Sequence, residues 1–167
     1  MAELSLYSSR CGTLARRGLR EVQRLGWVLL LQPRPGLFAQ VIVQERDKDY
    51  VVTRVSTGAS ASAIKRAVDR ARANPKGNRR TDSELRALMI PALHVMALWA
   101  HRRKNPKNDF FIPVTANFAG LRRGRSYNRA KAESLLAKRA TEMILNWYER
   151  AQNEAEKRRQ ARPDHTS

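Results

Sequence analysis

Apolar positions along the chain change period several times, and each change marks an element. Between Thr13 and Arg24, Leu14, Leu19, Val22 and Leu25 fall near helical spacing with Arg16, Arg17, Arg20 and Arg24 interleaved, which predicts a short amphipathic helix. Gly26 ends it. The apolar run from Trp27 to Gln32 then predicts a buried strand, and Pro33, Pro35 and Gly36 fix a turn behind it. From Phe38 to Gln44 the alternation of Phe38, Gln40, Ile42 and Gln44 against Ala39, Val41 and Val43 predicts a second strand. A polar turn over Arg46 to Asp49 leads to the β-branched segment from Tyr50 to Val55, a third strand. Three strands joined by two short turns make an antiparallel meander.

After Ser56 the period becomes helical: Ile64, Ala67, Val68 and Ala71 share one face, with Ser60 as the N-cap and Asn74-Pro75 as the stop. Lys76, Arg79 and Arg80 follow in a basic loop. Thr81 to Glu84 has the form of a capping box, which predicts a short helix burying Leu85, Leu88 and Met89 until Pro91 ends it. Residues 93–101 fit a helix or a strand. A strand is preferred, because Pro91 interrupts the helix and the segment from Lys104 to Asn108 reads as a hairpin loop into a strand from Phe110 to Val114. One long helix then runs from Ser126 or Asn128 to about Arg159, with Leu136, Ala140, Met143, Ile144, Trp147 and Ala151 as its stripe. The expected fold is α+β. An antiparallel sheet of about five strands, a meander plus a hairpin, is covered on one face by two central helices and the long C-terminal helix. Residues 1–25 form a basic N-terminal segment with a short helix, 26–151 a single α+β domain, and 152–167 a basic C-terminal extension.

Charge changes this otherwise ordinary picture. The 167 residues hold 33 Lys plus Arg against 15 Asp plus Glu, a net +18 that repels itself unless an anionic partner offsets it. Nucleic acid, DNA or RNA, is the expected partner, and an anionic membrane surface or an acidic protein is the rival. Cys11 is the single cysteine, so no internal disulfide and no cysteine-based zinc site can form, which fits a reducing, cytoplasmic compartment. No apolar run reaches the roughly 20 residues of a membrane span. The first 26 residues lack the apolar centre of a secretory signal. Their Arg and Ser content resembles a mitochondrial transit peptide, against which Glu3 and Glu21 stand.

Catalytic machinery is thin. His94 and His101 lie seven apart with no acidic cluster beside them, and Cys11 falls in a terminal segment. The expectation is no enzyme, no metal and no cofactor. The turn holding Ser56, Thr57 and Ser60 opens a helix after a strand, a setting that suits an anion as well as it suits capping. The cationic clusters are the strongest feature. Arg102, Arg103, Lys104 and Lys107 ride one loop; Arg122, Arg123, Arg125 and Arg129 ride another that leads into the long helix. Arginine's planar fork suits phosphate oxygens. Phe118 and Tyr127 are candidates for stacking on bases, whereas Trp99, Phe110 and Phe111 are expected in the core. Both loops flank the 110–114 strand, at one end or at opposite ends. The expected function is a non-enzymatic, sequence-unspecific nucleic-acid-binding role within a nucleoprotein assembly. The alternatives are a protein-interaction subunit docking through the long helix by Trp147 and Tyr148, and a peripheral membrane protein using the Arg16 to Arg24 helix; a protein partner or a homo-oligomer is a further expectation.

Overall fold

The computed structural model describes residues 2–73, 83–115 and 120–160. One eight-stranded sheet organises them, in the order β4-β3-β2-β1-β5-β6-β7-β8. The strands are β1 (Ala2–Ser8), β2 (Gln23–Arg34), β3 (Leu37–Arg46), β4 (Asp49–Thr57), β5 (Ser83–Ile90), β6 (Val95–Arg102), β7 (Phe110–Pro113) and β8 (Tyr127–Asn128). The helices are α1 (Cys11–Arg17), α2 (Ala59–Ala73) and α3 (Arg129–Gln160). An α+β fold with a long C-terminal helix is therefore present, but the sheet is larger than expected and mixed. All neighbours pair antiparallel except β1 and β5, which run parallel with Ser5 opposite Arg86 and Ser8 opposite Met89. Each half of the sheet is a four-stranded meander followed by a helix.

Two expectations are corrected here. Residues 2–8 form a strand at the centre of the sheet, so the N-terminal segment belongs to the domain and its helix is only Cys11–Arg17, followed by a 3-10 turn over Gly18–Glu21. Leu4 and Leu6 face the core from that strand, and an isolated seven-residue alternation is a weak signal. Residues 83–90 are also strand. Leu85, Leu88 and Met89 mimic helical spacing, but Ala87 is buried in the core on the α2 side while Leu88 and Ile90 are buried on the opposite face, so β5 is covered on both faces. The capping-box positions Thr81 and Asp82 lie outside the described residues. The ambiguous 93–101 segment resolves as β6 after a 3-10 turn over Pro91–Leu93, and helix α2 begins at Ala59, one residue ahead of Ser60.

The helices lie on opposite faces, not on one. Ala61, Ala63, Ile64, Ala67 and Val68 of α2 pack with Leu4, Leu6, Val28, Leu30, Ile42, Leu98 and Ile112. The sheet curls around α2, for the helix touches β3 and β4 at one end of the strand order and β6 and β7 at the other. On the outer face α1 and the first part of α3 cover Leu88, Trp99 and Phe111, with Leu14, Ala132, Leu136 and Ala140 completing a second core. Asn128 caps α3, its Oδ1 accepting from Lys131 N at 2.9 Å. No described helix is long and apolar enough to cross a membrane.

Gly26 sits where β2 passes closest to β3. Its φ is +146°, and a Cβ there would meet the Val43 carbonyl oxygen at 2.1 Å and Gln44 Cα at 2.9 Å. Backbone cannot yield as a side-chain tip can. Gly26→Ala is expected to cost about 2 kcal/mol or more, read from the shift of the urea unfolding midpoint.

Candidate functional site

The two arginine-rich loops sit at opposite ends of β7. Arg102, Arg103, Lys104 and Lys107 occupy the β6–β7 connection, and Arg129 joins them because its N–H donates to the Asp109 carbonyl at 3.0 Å. Arg122, Arg123 and Arg125 lie beyond the other end, where Gly124 N–H donates to the Pro113 carbonyl at 2.8 Å. The eight cations thus make two patches along one sheet edge.

The first patch is organised by a buried carboxylate. Asp109 is 1% exposed. Its Oδ2 accepts from Trp99 Nε1 at 2.8 Å and lies 3.1 Å from His101 Nδ1, while Oδ1 accepts from the Arg102 backbone N–H at 2.8 Å. Arg129 approaches Oδ2 at 3.5 Å and donates through Nε to Glu133 Oε1 at 2.9 Å. This network satisfies the buried charge and fixes the loop against the start of α3. It also accounts for His101, whose Nδ1 faces the Asp109 carboxylate and whose ring meets Trp99 edge-on at 5.2 Å. Arg129 is largely engaged within the protein.

A second group lies alongside. The guanidinium of Arg86 lies against the edge-on pair of Tyr7 and Trp99, 4.7 and 5.0 Å from their centroids, and donates to Glu84 Oε2 at 2.8 Å. Glu84 also draws Arg103 to 3.7 Å. The Arg86 hydrogen bond holds the Glu84 carboxyl below its ordinary range, against an opposing push from burial. Lys107, on the exposed 3-10 turn over Pro106–Asn108, faces solvent.

At the other end the sequence-predicted residues acquire partners that no sequence pattern showed. Arg123 reaches α2, its NH2 lying 3.4 Å from the Ala59 carbonyl oxygen in the first turn. Arg70 of α2 donates to the Gly124 carbonyl. Between them opens a cavity of about 300 Å³, lined by Arg66, Arg70, Arg123 and Gly124 over a floor of Ala63, Ala67, Ile112 and Pro113. Three arginines over an apolar floor suit a phosphate-bearing ligand. Arg66 and Arg70 are one helical turn apart, flanking the apolar stripe of α2. That spacing was legible, but their convergence on Arg123 follows only from the curl of the sheet. The anion turn lies at the same end. Ser56 and Thr57 are the last two residues of β4, and Ser60 Oγ accepts from the buried Gln40 Nε2 at 3.1 Å, which ties α2 to β3.

The stacking candidates divide. Phe118 lies outside the described residues, as do Lys76, Arg79 and Arg80. Tyr127 is 9% exposed within the second core, and its hydroxyl both accepts from Arg122 N–H at 2.8 Å and donates to the Gly120 carbonyl at 3.2 Å. Its ring is committed to packing, with Arg125 5.9 Å from its centroid. Trp99 and Phe111 are in the core, stacked at 5.6 Å. Burial pushes the Cys11 thiol up, away from the reactive thiolate. Among the described residues no three His, Cys, Asp or Glu side chains gather to hold a metal. No family model matches the chain, and neither a curated protein nor a solved structure matches it.

Two measurements test this reading of the first patch. Asp109→Ala leaves Trp99 Nε1 and the Arg102 N–H without their acceptor and is expected to cost about 3 kcal/mol in urea unfolding. Glu84 acts through pH. A carboxyl with a lowered folded pKa contributes stability above its unfolded value of about 4.3 and loses it as pH falls through the folded one. Glu84→Gln should therefore lower stability at pH 7 and flatten the acid limb, seen by urea unfolding across pH. Parallel acid limbs in the two proteins would contradict the assignment.

Proposed function

We propose that the protein is a non-enzymatic, sequence-unspecific nucleic-acid-binding protein that works within a nucleoprotein assembly in a reducing, cytoplasmic compartment. The observation that carries the reading is the cavity where Arg66, Arg70 and Arg123 converge over Ala63, Ala67, Ile112 and Pro113. In a chain of net +18, these guanidiniums take up backbone phosphate, which carries affinity without reading sequence. Arg122 and Arg125 extend the positive field beside the cavity. Arg102, Lys104 and Lys107 extend it to the far end of β7, roughly 13 Å along a four-residue strand, so that a polyanion along this edge meets both patches.

The peripheral-membrane alternative loses its main support. Leu14 and Leu19, the apolar face of the N-terminal basic helix, are packed inside the second core. An interfacial helix needs that face for the bilayer.

Fluorescence anisotropy against labelled single- and double-stranded DNA and RNA, over a range of salt, tests the proposal. Binding is expected with a steep salt slope. Arg66→Ser combined with Arg123→Ser should weaken it about equally for all sequences and reduce the log–log slope by about 0.9 per lost phosphate contact on duplex DNA. Unchanged affinity and slope in the double variant would remove the cavity as the site.

A further inference from the structure

Among the described residues, two apolar surfaces are left uncovered. On the outer face of the sheet, α1 and α3 stop short of the β2–β4 meander. There the cross-strand rows Trp27–Val43–Val52 and Leu29–Val41–Val55 lie in register, and Tyr50 meets the Trp27 ring edge-on at 5.2 Å. Tyr50 is 65% exposed, Val52 56% and Val55 64%. The second surface is the distal part of α3. Its buried stripe of Ala132, Leu136 and Ala140 continues through Met143 to Trp147, with Tyr148 packed edge-on beside Trp147, yet every residue from 145 to 160 is exposed. At 1.5 Å per residue, this free portion is roughly 24 Å long, enough to cross three strands about 4.8 Å apart.

We propose that two copies of this chain form a two-fold dimer in which each seats the distal part of α3 on the other's β2–β4 face. Size argues for a second copy. Tyr50, Val52 and Val55 expose roughly 300 Å², and Trp147 with Tyr148 a similar amount, against the ~800 Å² that one partner contributes to a stable interface. Neither surface is sufficient alone. A two-fold arrangement buries both on each chain, and half-buried Trp27, Val41 and Met143 add to the total. Charge does not oppose it: residues 145–160 carry Glu149, Glu154 and Glu156 against Arg150, Lys157, Arg158 and Arg159, close to neutral in a chain of net +18.

Light scattering after size exclusion tests the dimer, with nuclease-treated protein in about 0.5 M salt to suppress bridging by nucleic acid. Wild type is expected near 38 kDa, twice 19.1 kDa. Trp147→Glu and Val52→Glu, each alone, should give monomers. Both variants should keep the far-UV circular dichroism of the wild type, which shows them to be folded. A wild-type monomer at about 100 μM overturns the proposal, since a stable interface of this size holds well below that concentration. So does a wild-type dimer that either single variant, folded by circular dichroism, retains.

Discussion

The parallel ladder between β1 and β5 is the constraint on which the rest depends. It spans Ser5–Ser8 against Arg86–Met89 and, among the described residues, is the one strand pairing that joins the two meanders. Parallel neighbours cannot be joined by a tight turn, and here the crossover is the whole of α1, β2, β3, β4 and α2. Placing β1 and β5 side by side pairs the inner edges of the two meanders. It also sets the two halves of the sheet where α2 can be gripped from both sides and where α3 can lie on the opposite surface.

A sequence reveals what is local and hides what is topological. The β2–β4 meander was legible because an apolar run, an alternating segment and a β-branched segment met strong turn chemistry: Pro35-Gly36 at one end, and Asp47-Lys48, both at positive φ, at the other. Helix α2 and the long α3 were legible from their stripes. Strand β5 was not, because a strand enclosed on both faces has no alternation to show, and Leu85, Leu88 and Met89 happened to fall at helical spacing. Strand β1 did alternate, through Leu4 and Leu6, but nothing local said that seven N-terminal residues would hold the centre of a sheet.

The candidate site divides along the same line. Runs such as Arg102–Lys104 and Arg122–Arg125 stand out in the sequence, yet charge density alone misjudged their use. Arg129 is drawn inward by Asp109 and Glu133, and Arg103 lies toward Glu84. Arg66 and Arg70, unremarked on a helix that had an apolar face to bury, acquire their setting only from Arg123, more than fifty residues away. Tyr127, read as a ring for stacking, holds the loop closed instead.

The curl of the sheet around α2 has a thermodynamic consequence. Arg66 and Arg70 come from the end of the first meander, whereas Ile112, Pro113 and Arg123 come from the end of the second. No fragment containing one half has the cavity, and no partly folded chain with α2 undocked has it either. Any anion seated there binds the finished fold and not its precursors, so occupancy draws the folding equilibrium forward by mass action. The self-repulsion of a +18 chain is then relieved by the same event that locks its two halves together.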